Sequence, residues 1–284
     1  MNPQTNLGAL YRETREQFRA KGFENPGLEA SVLLCSVTGE PPHRIVSDPQ
    51  TAVRGKAARE FEDRVRRRLK NEPCAYITGT REFFSLSFAV SPAVLIPRPE
   101  TETVVETALR NIPAGKKLRV ADIGTGSGCI AIALKKEREE ISVTASDISP
   151  AAIEIARQNA LFHGTEINFV IGDALSRFAD GSADIIVSNP PYVPEQEFES
   201  LPDDVRVFEP REALVSGDDG FEHIRKIVAD APRVLGGGGV CVMETGDGQA
   251  EKCAEIFSKN GFSDISAADD IGGKTRVVSG TWKK

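Results

Sequence analysis

Apolar positions along the chain change period twice. Over residues 4–72 they recur at helical spacing: Leu7, Leu10, Tyr11, Thr14 and Phe18 share one face, and Val53, Ala57, Phe61, Val65 and Leu69 make a second stripe. Between them, Asn25-Pro26 signals a helix start and Gly39 its end, because Pro suits the first helical turn and Gly the position just past the last. A helical domain over residues 1–73 is predicted. From Tyr76 to Val90 the chain turns aromatic and β-branched and alternates from Phe84 onward, which predicts a hairpin linker within 74–98. After a helix stripe of Val104, Val105, Ala108, Leu109 and Ile112, strands and helices alternate through 116–284. Such alternation predicts a parallel sheet with helices on both faces, assigned to a domain over 99–284.

The chemistry collects where strands end. Val120-Ala121-Asp122-Ile123 runs into Gly124-Thr125-Gly126-Ser127-Gly128 and then an apolar helix, so the glycines bring backbone close beneath a ligand at an open helix N-terminus. The spacing is G-x-G-x-G, which departs from the G-x-G-x-x-G of a dinucleotide site. The next strand, 141–146, ends at Asp147, a carboxylate able to accept two ribose hydroxyls. A third, 167–171, ends at Gly172-Asp173-Ala174, where Asp173 is the preferred acceptor for an adenine amino group and Ala174 lies beside the ring.

The fourth strand, Ala183–Ser188, runs into Asn189-Pro190-Pro191-Tyr192. Each Pro fixes φ and lacks an N–H, so the ladder cannot continue, and Asn189 brings both an acceptor and donors. Asn189 Oδ1 and the Pro190 carbonyl can each accept one hydrogen of a substrate NH2 while Tyr192 lies against its planar group. A glutamine amide and the exocyclic amine of adenine both fit that description. The alternative is a strand-ending Pro turn with no role, since Asn-Pro is frequent in turns.

Composition narrows the class. The chain has 284 residues, 40% of them hydrophobic, enough for a sizeable core. No apolar run approaches the ~18 residues of a membrane span, and the first residues begin no secretory signal, so a cytoplasmic protein is expected. Cys35, Cys74, Cys129, Cys241 and Cys253 are widely spaced and there are three His, which predicts neither disulfides nor a metal site. Residues 1–73 hold 13 Lys and Arg against 10 Asp and Glu, while the whole chain is at −7, so the catalytic part is acidic. That argues against stable nucleic-acid binding. The run Arg64 to Lys70 is read as a solvated helix face.

Four strand ends in chain order resemble the class I methyltransferases that use S-adenosylmethionine. The resemblance narrows on Tyr76-Ile77-Thr78-Gly79, Arg81-Glu82-Phe83, Leu95-Ile96-Pro97-Arg98-Pro99-Glu100-Thr101-Glu102, the Gly124 to Gly128 turn, Ser188-Asn189-Pro190-Pro191-Tyr192, Glu209-Pro210-Arg211-Glu212-Ala213-Leu214 and Gly273-Lys274-Thr275-Arg276-Val277-Val278. Together these are similar to the HemK/PrmC family, which methylates the glutamine of the Gly-Gly-Gln loop in class I peptide chain release factors.

The resemblance implies an α/β, Rossmann-like class I methyltransferase fold, mostly parallel with an antiparallel last strand and preceded by a small helical domain. It implies S-adenosyl-L-methionine as donor, S-adenosyl-L-homocysteine as product, and a release factor as partner of a monomer. By family pattern Gly124, Thr125, Gly126, Ser127, Gly128, Asp147, Ala174 and Asn189 touch the cofactor. Asn189, Pro190, Pro191 and Tyr192 hold the glutamine, with Asn189, Pro190 and Tyr192 carrying catalysis. Relatives often have a larger aromatic residue where this chain has Ala174, which leaves only van der Waals contact there.

An amide nitrogen is a poor nucleophile, so fixing both of its hydrogens would supply most of the catalysis without a strong base. His163 and His223 are expected at packing or surface positions, Arg98 as a loop support, and the stretch from Phe198 to Arg211 as a lid. Gly236 to Gly239 is read as a tight turn between helix and strand. The rival reading is an adenine-N6 nucleic-acid methyltransferase, which shares the clamp and would bring a basic groove. A non-catalytic cofactor-binding protein is the third, with an eroded clamp as its mark.

Overall fold

A computed structural model describes residues 5–283. It divides into two compact units: residues up to Gly79 together with Asp203–Phe208, and the remainder. The first holds helices α1 (Leu7–Lys21), α2 (Pro26–Thr38), α3 (Arg44–Ser47), α4 (Gly55–Arg68) and α5 (Cys74–Thr78). Asn6 caps α1 by accepting from the Ala9 N–H at 2.8 Å, and Gly22 closes it in the left-handed region. Pro26 opens α2 and Gly39 ends it, although Asn25 makes no side-chain cap bond. Leu7, Phe18, Leu33, Leu34, Phe61 and Val65 share its core.

Arg68 departs from the solvated face expected of the basic run. It is 5% exposed, its guanidinium 2.7 Å from Glu29 and its Cζ 3.8 Å from the Phe23 ring centroid. A buried guanidinium needs a partner of this kind, and Glu29 lies 39 residues away, out of reach of any local pattern.

In the second unit, β1 (Thr80–Phe83) and β2 (Leu86–Ala89) pair as an antiparallel hairpin. Its first strand starts at Thr80; residues 74–78, expected in the linker, are the helix α5 of the other unit. Then follow α6 (Glu102–Arg110), β3 (Arg119–Ile123), α7 (Cys129–Glu137), β4 (Ser142–Asp147), α8 (Pro150–His163), β5 (Ile167–Ile171) and β6 (Ala183–Ser188). After α9 (Asp203–Arg206), which belongs to the first unit, the second unit resumes with α10 (Glu222–Val234), β7 (Leu235–Glu244), α11 (Ala250–Lys259), β8 (Phe262–Asp269) and β9 (Thr275–Trp282). Strand order is β5-β4-β3-β6-β7-β9-β8, parallel except for β9, which runs antiparallel between β7 and β8.

Two apolar clusters cover the two faces of this sheet, one around Val120, Ile185 and Val242 and one around Ala121, Ile186 and Met243. The order reverses at β3, between β4 and β6, so the carboxyl ends of these strands open a crevice. Two features differ from expectation. Gly236 to Gly239 lie inside β7, where the register to β6 jumps from Ala183↔Leu235 to Ile185↔Val240. Residues without side chains allow such a bulge, which a turn reading of the same glycines misses. The small and polar run of β8 carries too little apolar alternation to announce a strand, yet it pairs with β9 as the sheet edge.

On α8, Asn159 is 2% exposed and joins two parts of this unit. It accepts from the Ala89 N–H at 2.7 Å and donates to the Ser127 carbonyl at 2.8 Å, tying the hairpin to the glycine turn. Its neighbour His163 meets the Ser87 carbonyl at 2.7 Å and packs on Phe88, as a packing histidine should.

Candidate active site

A cavity opens at the carboxyl ends of β3, β4, β5 and β6, within the sheet-bearing unit. Gly124, Thr125, Gly126, Ser127, Asp147, Asp173, Ala174, Asn189, Pro190 and Pro191 all reach it. Gly128 and Tyr192 do not line it.

Gly124, Gly126 and Gly128 all have positive φ, and a Cβ on Gly128 would stand 3.1 Å from that of Ala156. The turn therefore requires glycine both for its backbone and for helix packing. Beneath it lies Asp122, fully buried, whose Oδ2 accepts from Thr125 Oγ1 at 2.6 Å and from the Ala131 N–H at 3.2 Å. Burial pushes the Asp122 carboxyl up to about 7. Asp122 Oδ1, Ser127 Oγ and Ser146 Oγ have no hydrogen-bond partner although they are buried. A polar ligand over the turn would satisfy such atoms, Ser127 being the one that lines the cavity.

Asp147 Oδ2 accepts the Gly126 N–H and Oδ1 the Ser149 N–H, both at 2.9 Å. Burial raises its pKa, opposed by these backbone bonds. Each oxygen retains a lone pair, so two hydroxyls can still be accepted. Asp173 is exposed and ion-paired with Lys226, and Ala174 takes a left-handed φ of 47°.

Asn189 donates from Nδ2 to Thr101 Oγ1 at 3.0 Å. Its Oδ1 accepts nothing from the described residues and is left to the cavity that Asn189 lines. Tyr192 turns the other way: its hydroxyl stands 3.5 Å from Glu244 Oε1, and its carbonyl accepts from Gln249 Nε2 at 2.9 Å. Burial, then the neighbouring Glu244, raises the Tyr192 pKa, which keeps the phenol protonated. A parallel bridge from Val193 to Val215 holds the same loop from its far side.

Several residues at the site have no signal in the sequence reading. Thr101 lines the cavity at 2% exposure, and Glu244 is buried behind it. Burial pushes the Glu244 carboxyl up to about 7, while a hydrogen bond from Thr101 favours its ionised form. His223, expected away from the site, lines the cavity with its Nδ1 2.9 Å from Ser216 Oγ, and burial lowers its pKa. Glu212 adds an exposed carboxylate to the wall. Arg98 supports its loop, paired with Glu209. In the connection after the clamp, Arg211 lies 5.0 Å from the Phe198 ring centroid and pairs with Glu195, so short helical turns order this stretch.

Comparison with known proteins agrees with this arrangement. Residues 9–79 match the model of the PrmC N-terminal domain and residues 101–205 that of the methyltransferase small domain. A solved methyltransferase from Pyrococcus furiosus shares the fold, with a TM-score of 0.55 at 21% identity, covering 79% of this chain and all of that one. Release factor glutamine methyltransferase of Nitratidesulfovibrio vulgaris is 42% identical over 98% of this chain and 97% of its own. That of Geobacter sulfurreducens is 42% identical over 94% of this chain and 93% of its own. With such identity along nearly its whole length, and with a glycine turn and an Asn-Pro-Pro-Tyr loop at adjoining strand ends, the chain belongs to the release factor glutamine methyltransferase family.

Proposed function

We propose that this chain methylates the side-chain amide nitrogen of the glutamine in the Gly-Gly-Gln loop of class I peptide chain release factors, with S-adenosyl-L-methionine as donor. The observation that carries this reading is the orientation of Asn189: its amide nitrogen is bound by Thr101, and its oxygen is left as an acceptor beside the glycine turn and Asp147.

The residues present fit the donor. Asp147 accepts its ribose hydroxyls, and Ser127 offers an unpartnered hydroxyl at the turn. Asp173 takes the adenine amino group, with Ala174 in van der Waals contact. Asp147, Asp173 and Glu212 give the wall negative charge, which suits a cation. When bound, the donor supplies an electrophilic methyl group on a sulfonium.

Asn189 Oδ1 and the Pro190 carbonyl each accept one hydrogen of the glutamine NH2. Both acceptors strengthen their hold as positive charge develops on the nitrogen, so positioning and electrostatics do the catalytic work. The methylated amide is a strong acid and releases its proton to water without a dedicated base. Pro190 and Pro191 fix the loop, and Gln249 holds the Tyr192 carbonyl, so the acceptors are preorganised. Tyr192 serves from behind this loop, its hydroxyl towards Glu244.

The test is transfer of radiolabelled methyl to a purified release factor, its Gln→Ala variant and an adenine-containing oligonucleotide. Label on the release factor alone, lost with the Gln→Ala variant, is expected. Asn189→Ala abolishes transfer and leaves donor binding in place. Label on the oligonucleotide alone would overturn the reading in favour of an adenine-N6 methyltransferase.

A further inference from the structure

We propose that the Thr101 hydroxyl, held from behind by the Glu244 carboxylate, is a positioning group that decides which end of the Asn189 carboxamide faces the substrate. This rests on the amide-clamp reading above.

The two ends of a carboxamide have nearly the same shape and opposite hydrogen-bonding character. Turned one way, Asn189 presents an acceptor to the substrate NH2; turned the other, it presents two donors to two donors and the clamp fails. A threonine hydroxyl cannot make that choice alone. It accepts from Nδ2 in one orientation and donates to Oδ1 in the other.

Glu244 removes the ambiguity. Above the pH of about 7 to which burial raises it, the Glu244 carboxylate is ionised and only accepts, so it takes the one hydrogen that Thr101 has to give and leaves a lone pair towards Asn189. The observed bond has that sense, with Nδ2 donating to Thr101 Oγ1 at 3.0 Å. Glu244 is 1% exposed, the Tyr192 hydroxyl stands 3.5 Å from its Oε1, and its charge is opposed by Glu100 and favoured by Arg276. Fold topology brings the three together. β6 and β7 pair Ser188 with Met243, which puts Asn189 level with Glu244 one residue further on, and Thr101 precedes α6, which packs over these strands. A buried carboxylate is costly in a core unless it holds something in place.

Three variants test this: Thr101→Val, which keeps the shape and loses the hydroxyl, Thr101→Ser, which keeps the hydroxyl, and Glu244→Gln, which can also donate. Thr101→Val lowers kcat on the order of 10- to 100-fold with the KM for the methyl donor unchanged, and Thr101→Ser restores kcat. A readout independent of substrate is the Asn189 side-chain NH2 in nitrogen-15 spectra, identified by its loss in Asn189→Ala. Its hydrogens exchange slowly with water in the wild type and in Thr101→Ser, and quickly in Thr101→Val. If Thr101→Val does not fold, Glu244→Gln must show faster exchange and lower kcat. Equal exchange in all variants, or equal kcat for Thr101→Val and wild type, would overturn the proposal. Wild-type protein inactive on release factor would instead count against the functional reading, with the exchange result still standing.

Discussion

Arg98 donates to the carboxylate of Glu209 across 111 residues of sequence, and that carboxylate also accepts the Ile96 N–H at 3.1 Å. Glu209 is 5% exposed while Arg98 keeps part of its surface in water. The pair therefore joins the loop before α6, which carries Thr101 to the cavity, to the loop that carries Pro210 and Glu212.

Removing one partner of such a pair strands a charge where water cannot reach it. Arg98→Met is expected to destabilise the sheet-bearing unit by about 3 kcal/mol, and adding Glu209→Gln should recover most of that loss. Denaturation followed through Trp282, the chain's one tryptophan and a residue of β9, reads this unit directly. A double variant as unstable as the single one would show that the carboxylate was not the source of the cost.

Asp147 is expected to act on binding of the donor rather than on the transfer step. Asp147→Ala should raise the KM for S-adenosyl-L-methionine more than tenfold, because two charge-assisted hydrogen bonds of about 1.5 kcal/mol each are lost. The kcat at saturating donor should change much less. Calorimetric titration with the donor and its product checks the first part, and initial rates the second. An unaltered donor affinity would remove Asp147 from the cofactor site.

Two fully buried carboxylates predict the pH dependence of stability. Asp122 and Glu244 are each pushed up to about 7 by burial, from ordinary values of 3.8 and 4.5. Between the ordinary and raised values the folded protein holds protons that the unfolded chain has released, so stability falls as pH rises through this window. Above about 7 the cost of both charges is present in full. Glu244→Gln and Asp122→Asn each remove one such charge, so their Tm relative to wild type should rise by a few degrees between pH 5 and pH 8. A Tm difference independent of pH would show that neither carboxyl keeps its proton above pH 5 in the folded protein, so that burial does not raise it.

The strand-end part of the cavity wall was readable because it follows a local rule. In a parallel sheet the residues just past each strand share one edge, so Asp147, Asp173 and Asn189 could be placed together from the strand pattern alone. What escaped depends on partners far along the chain. Thr101 meets Asn189 across 88 residues, and nothing in Pro99-Glu100-Thr101-Glu102 announces that its hydroxyl will point into a cavity. Asp122 and Glu244 sit in apolar strands where a carboxylate reads as solvent-facing, and only the packed sheet shows both fully buried. Tyr192 was read as a platform for the substrate because it adjoins two prolines, but its ring stands beside Gly246 and its hydroxyl beside Glu244.

The glycine run of β7 decides more than its own conformation. Since the surplus residues between Leu235 and Val240 are taken up at the strand's amino end, the four pairs from Ile185↔Val240 to Ser188↔Met243 stay in phase. Side chains alternate faces along a strand, so slippage by one residue beyond that point would swing Glu244 out to the opposite side of the sheet and bring Met243 or Thr245 behind Thr101. Lengthening or trimming Gly236 to Gly239 should therefore be absorbed far from the reacting groups, while a single deletion between Val240 and Met243 would disarm the enzyme without touching any atom that meets its substrate.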